Sequence, residues 1–216
     1  MNVRTCEKLS EGCTSTCSMG QDHFQDVKDV FNCGDLIVYP TETLYALGTN
    51  PFDEKALNRI FEVKKRPGNM PISIAVSDIQ MMESLAEVNI LAQKIYEHFL
   101  PGPITLLMKK KAKLHALLTA GSDKIGIRVP DHPVAKRIID IVGPITATSA
   151  NLHGHPEPKN LKTAVEQLNG EVALYFDCGQ SEFQGASTVV DVSNSSIKII
   201  RKGVIPYEEI LRISRK

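Results

Sequence analysis

Short apolar runs bounded by Pro, Gly and polar clusters recur along this chain and alternate with stretches of helical period. That alternation restricts the fold to the α/β classes. Leu36-Ile37-Val38-Tyr39 reads as a buried strand ended by Pro40. Further strands are expected at 72–76, 105–108, 125–129, 145–148, 172–176, 188–192 and 197–200. Between them, Phe24, Val27 and Phe31 mark a helix stopped by Gly34. Asp53 caps a helix carrying Leu57, Ile60, Phe61 and Lys64 at i, i+3, i+4 and i+7, which sets Lys64 beside the core rather than in free solvent. Ser77 with Gln80 offers a capping box for the next helix. More helices are expected around Leu91, Ile95 and Phe99, at 134–142 and 161–168, and from Pro206 onward. The order is mixed rather than a strict βαβ alternation, and neither an internal repeat nor a linker interrupts it. The expectation is one α/β domain of α+β type on a twisted mixed sheet, over residues 21–216, preceded by a flexible tail at 1–20.

Composition narrows the function classes. Lys plus Arg number 25 and Asp plus Glu number 25, so net charge gives no support to a general polyanion binder, while a local basic cleft stays open. No apolar run approaches the roughly 18 residues of a membrane helix, and the first residues lack an apolar signal region. A soluble cytoplasmic protein without a membrane partner is expected. Five cysteines without a signal argue against a disulfide scaffold. Cys6, Cys13 and Cys17 fall in the tail, and no His/Cys/Glu set has the spacing of a catalytic metal site. Neither a GxGxxG nor a GxxxxGK[ST] phosphate loop is present, and no GxSxG nucleophile elbow. Catalysis by positioning and electrostatics fits such a chain better than covalent catalysis.

Four polar clusters lie at expected strand ends, where open α/β sheets bind ligands. Pro40-Thr41-Glu42-Thr43-Leu44-Tyr45 follows the first strand directly and reads either as a ligand loop or as an ordinary turn with a hydroxyl cap. Lys64-Lys65-Arg66-Pro67-Gly68 ends a helix; it reads as a phosphate clamp or as basic residues opposing the helix dipole. Arg128 stands in an apolar strand and points away from the face of Ile127 and Val129, toward a cleft or toward solvent, and His132 before Pro133 reads as a turn residue. Thr148-Ser149-Ala150-Asn151 offers small hydroxyl and amide groups, or a plain Asn turn.

Taken together the clusters resemble the YrdC-like family, the threonylcarbamoyl-AMP synthases of tRNA modification. The matching stretches, in the family's order, are YPTETLYALG (39–48), KKRPGNMP (64–71), LPGPITLL (100–107), GIRVPDHP (126–133), TSANLHGHP (148–156), STVVD (187–191) and IIRKG (199–203). The resemblance implies a twisted sheet around a positively charged cavity. It implies a nucleotidyltransferase that makes threonylcarbamoyl-AMP and pyrophosphate from L-threonine, bicarbonate and ATP, with Mg2+ carried on the ATP phosphates and no metal held by protein ligands alone. By the same resemblance, Lys64, Arg66, Ser149 and Asn151 form the catalytic and ATP-binding set, joined on ATP by Arg201. Thr41, Tyr45, Arg128 and Ser187 form the threonine pocket. A threonylcarbamoyl transferase complex would act downstream, with a direct tRNA contact left open. Longer members carry a further C-terminal domain, so a chain ending at Lys216 reads as the short single-domain form. The competing expectations are a non-catalytic RNA-binding or ribosome-maturation module of the same fold, and a hydrolase of a carbamoyl or nucleotide ligand.

Overall fold

The computed structural model describes residues 2–5, 21–111 and 114–214. Among these the chain forms two mixed sheets where one was expected. The first contains β1 (Asn2–Thr5), β2 (Ile37–Tyr39), β3 (Ala46–Gly48), β8 (Thr148–Ser149) and β9 (Leu174–Asp177), in the order β1-β9-β2-β3-β8. The second contains β4 (Ile74–Ala75), β5 (Ile104–Lys109), β6 (Lys124–Arg128), β7 (Ile145–Thr146), β10 (Thr188–Asp191) and β11 (Lys198–Arg201), in the order β11-β10-β5-β6-β4-β7. The helices are α1 (Val27–Asn32), α2 (Glu54–Lys64), α3 (Ile79–Leu85), α4 (Ile90–Phe99), α5 (Ala116–Thr119), α6 (Pro133–Val142), α7 (Leu161–Leu168) and α8 (Tyr207–Ser214).

Alternation along β2 explains its unbroken apolar run. Val38 packs in a cluster with Ile74, Ile104, Ile127 and Val190, which draws both sheets into one core. Ile37 and Tyr39 face the other way and meet Phe31 of α1 and Ile138 and Ile139 of α6. A strand buried on both faces has no room for polar alternation.

Three local details differ from the expectation. The expected strand at 145–148 is divided: β7 pairs antiparallel with β4 in one sheet, β8 antiparallel with β3 in the other, and Ala147 makes the step between them. The Ala147 amide donates to the Ser73 carbonyl at 2.7 Å, which ties that step down. The cap of α3 is Asp78, whose carboxylate accepts from the Met81 amide at 2.7 Å, so a simple cap one residue after Ser77 stands where the Ser77–Gln80 box was expected. Asn2–Thr5 pairs parallel with β9, so the first part of the stretch read as a tail extends a sheet. Cys6, Cys13 and Cys17 lie outside the described residues.

The caps of α2 and α6 follow from sequence. The Asp53 carboxylate accepts from the amides of Lys55 (2.8 Å) and Ala56 (3.3 Å), and α2 ends at Lys65 in the left-handed conformation. His132 caps α6, its Nδ1 accepting from the Val134 amide at 3.2 Å, which agrees with its reading as a turn residue.

Candidate active site

The ends of several strands converge on a cleft enclosing about 700 Å³, its solvent-open mouth included. Its wall is built from the loop joining β2 to β3, the connection from α2 to β4, the end of β6, the strand β8, and the ends of β10 and β11. Seven of the nine residues singled out from the sequence line it: Thr41, Tyr45, Arg66, Arg128, Ser149, Ser187 and Arg201. Lys64 and Asn151 are not in the wall but directly behind Ser149.

Lys64 is 1% exposed at the end of the apolar face of α2. Its ammonium donates to the Ser149 carbonyl, to the Asn151 carbonyl at 2.6 Å and to Asn151 Oδ1 at 3.3 Å. An ammonium has three protons, and three oxygens take them. Asn151 Oδ1 also accepts from Ser149 Oγ at 2.6 Å, while Asn151 Nδ2 donates to the His155 carbonyl at 2.8 Å. Lys64 thus fixes the backbone that presents Ser149. Burial, followed by the nearby Arg66 charge, pulls the Lys64 pKa down to about 7.

Three arginines reach the cleft. Arg66 Nη2 donates to the Pro71 carbonyl at 2.9 Å and Nη1 to Thr148 Oγ1 at 3.4 Å. Arg201 donates through Nη2 to the Ser187 carbonyl at 2.9 Å and to Ser187 Oγ at 3.0 Å. Arg128 stands at the end of β6 on the face opposite Ile127, donating from Nη1 to Thr43 Oγ1 at 2.9 Å and from Nη2 to Glu42 Oε1 at 2.5 Å. The buried Nε atoms of Arg66 and Arg128 have no hydrogen-bond partner among the described residues. Burial lowers the pKa of Arg66, with Arg201 adding to the effect. Burial also lowers that of Arg201, opposed by Glu157 and reinforced by Arg128. Guanidinium groups keep their protons regardless, so the arrangement is one of crowded cations around free space. An anion with several charges relieves the crowding.

The hydroxyls of the expected threonine pocket are already engaged. Thr41 Oγ1 donates to the Leu44 carbonyl at 2.6 Å and lies 2.9 Å from Thr43 Oγ1, which folds the loop on itself. The Tyr45 hydroxyl donates to the Gly179 carbonyl and accepts from the Cys178 amide, both at 2.9 Å. Ser187 Oγ lies 2.9 Å from Thr105 Oγ1 and accepts from Arg201.

Sequence reasoning placed Glu42, Thr43 and Thr148 in candidate clusters without assigning them a site role and did not single out Ser73, Thr105 or Glu157; the structure brings all six to the cleft or, for Glu42, onto Arg128. A usable signal did exist for Glu42. A carboxylate beside a buried strand and an arginine inside an apolar strand are each costly alone, and buried charges are found paired.

Two mixed sheets with an arginine-lined cleft between their strand ends make this a mixed α/β protein, and the comparisons give its family. Residues 29–203 match the Sua5/YciO/YrdC family model, described as "Telomere recombination", and the chain belongs to that family. A putative threonylcarbamoyl-AMP synthase of Methanocaldococcus jannaschii is 35% identical over 185 residues, covering 86% of this chain and 87% of that protein. The threonylcarbamoyl-AMP synthase of Pyrococcus abyssi is 36% identical over 182 residues, covering 83% of this chain and 54% of that protein, so the chain spans about half its length. The crystal structure of P. abyssi Sua5 complexed with L-threonine superposes with a TM-score of 0.83 at 34% identity, covering 86% of this chain and 55% of that one. Escherichia coli YciO shares the fold, with a TM-score of 0.82 at 23% identity over 97% of this chain and 98% of that one.

Proposed function

We propose that this protein is an L-threonylcarbamoyladenylate synthase, a nucleotidyltransferase that forms threonylcarbamoyl-AMP and pyrophosphate from L-threonine, bicarbonate and ATP. The observation that carries the proposal is the convergence of Arg66, Arg128 and Arg201 on one cleft. Relatives at 35–36% identity that bear the name of this reaction support it further.

The chemistry needs positioned charge more than covalent catalysis. The neutral amine of threonine takes up bicarbonate as a carbamate and releases water. A carbamate oxygen then attacks the α-phosphorus of ATP, and the α–β bridging oxygen departs with pyrophosphate. Arg66 and Arg201 stabilise the charge that develops on the phosphates. Ser149 Oγ lies at the wall beside them, held through its backbone by Lys64 and through its hydroxyl by Asn151. In this reading Lys64 and Asn151 serve the nucleotide site from behind Ser149. Arg128 takes the threonine carboxylate, while Thr41, Tyr45 and Ser187 shape the pocket by fixing its loop and Arg201. Arg128 is balanced by Glu42, and Arg66 with Arg201 against the lining carboxylate Glu157 supports a positive cavity in this reading. Mg2+ enters on the ATP phosphates; hydroxyls and one carboxylate are a donor set suited to an ion that keeps its water and phosphate ligands. The product is a reactive mixed anhydride, which a threonylcarbamoyl transferase acting on tRNA would consume.

The test is pyrophosphate release from ATP and Mg2+, with and without L-threonine and bicarbonate, and with serine as control. Release that requires both co-substrates and prefers threonine is expected. Absence of release, with salt-sensitive RNA binding instead, would replace the enzyme by a binding module.

A further inference from the structure

Arg128 is 7% exposed and its charge is balanced by Glu42, which is 3% exposed. Each end of Glu42 is committed. Oε1 accepts from Arg128 Nη2 at 2.5 Å, and Oε2 accepts from the Asp131 amide at 3.1 Å. Its own carbonyl accepts from the Phe183 amide at 2.9 Å. The residue therefore links the β2–β3 loop to the turn after β6 and to the 180–185 segment. Thr43 adds a second pin, accepting from Arg128 Nη1 at 2.9 Å while its Oγ1 lies 2.9 Å from that of Thr41. A guanidinium held at both terminal nitrogens cannot rotate about its stem. Its Nε is left as a buried donor without a partner, on a side chain that lines the cleft.

We infer that Glu42 is a positioning residue for amino-acid recognition: by holding Arg128 at Nη2, with Thr43 at Nη1, it sets the remaining guanidinium donors toward the carboxylate of the bound amino acid. The inference rests on the reading that this cleft takes L-threonine. Its physical content is preorganisation. An arginine on a free stem loses rotamer freedom when it captures a carboxylate, whereas one already immobilised loses none at that moment. Glu42 also neutralises the buried cation while the cleft is empty, which an uncompensated arginine could not tolerate. The charge is close to the recognition site but spent on the protein, so the selectivity arises from direction rather than from net attraction.

Glu42→Gln tests this, because the amide keeps the shape and the acceptor for Asp131 but loses the charge that grips Arg128. The expected result is a rise in the KM for threonine of tenfold or more, with kcat and the KM for ATP within about threefold of the parent. A role in folding alone would lower kcat with the active fraction and leave both KM values unchanged. Thr43→Val, which removes the other pin, should raise the threonine KM in the same direction by a smaller factor, and it serves if the first variant does not fold. A threonine KM unchanged in Glu42→Gln, or KM values for ATP and threonine rising together, overturns the inference while leaving the reaction intact. Calorimetric titration of the parent protein with L-threonine separates the two readings: no binding removes the substrate assignment and the inference with it. If neither protein releases pyrophosphate, threonine binding that is at least tenfold weaker in Glu42→Gln than in the parent upholds the inference, and equal binding overturns it.

Discussion

At Lys64 burial and charge oppose each other within one side chain. Desolvation and Arg66 depress its pKa to about 7, against 10.5 for a free lysine, while three oxygens sit where an ammonium would donate. Between those two values the unfolded chain holds the proton and the folded chain has released it, so the stability linked to this group rises with pH and the penalty is complete below pH 7. The unfolding free energy of the parent minus that of Lys64→Met should therefore grow by about 2 kcal/mol from pH 7 to pH 9. Urea titrations at the two pH values measure it, and a flat difference would mean that the three acceptors hold the proton on. The candidate site was legible in the sequence at this scale to the extent that polar residues stood next to apolar runs. Arg66, Arg128 and Ser149 were visible for that reason. What stayed hidden is partnership. Glu42 and Arg128 are 86 residues apart, and only the fold makes them neighbours.

The elements show the same division. Runs such as Leu36–Tyr39 and 125–129 announce strands because burial leaves no place for polar residues. β3 escaped notice because Ala46-Leu47-Gly48 is short, poor in β-formers and directly follows a turn. β1 has only Val3 as an apolar marker. Nor does hydrophobic pattern say to which sheet a strand belongs, which is why two sheets were read as one. The edge formed by β10 and β11 illustrates a constraint that only packing reveals. Gly203, just after β11, approaches residues 186–188 so closely that a Cβ there would lie 2.4 Å from the Ala186 oxygen, the Ser187 carbonyl carbon and the Thr188 nitrogen. Gly203→Ala must push β11 away, at about 1–3 kcal/mol, and thermal unfolding should fall by about 2–4 °C per kcal/mol. Because Ser187 anchors Arg201, the KM for ATP should rise in the same variant. An unaltered melting temperature would show that this edge yields freely.

For the molecule as a whole, charge is balanced overall and concentrated locally. Twenty-five cations match twenty-five anions in the sequence, yet three arginines share one cleft. Arg128 is buried, Arg66 half-buried and Arg201 exposed, so salt screens only part of this set fully. ATP affinity should consequently change by less than about tenfold between 0.05 and 0.2 M salt. A nucleic-acid surface with 6–10 phosphate contacts would lose about 10³–10⁵ over a similar range. Calorimetry at the two concentrations distinguishes them, and a steep slope would point to an exposed polyanion site. The step at Ala147 carries a different kind of consequence. Thr146 belongs to one sheet and Thr148 to the other, and Ser149, one residue on, is gripped by Lys64. One residue more or fewer here would turn Ser149 to the opposite face of its strand. The exposed turn at 194–196 has no such duty. Over generations of copying, chains of this lineage are free to grow or shrink at that turn, while the spacing across Ala147 acts as a ruler that descent cannot re-cut.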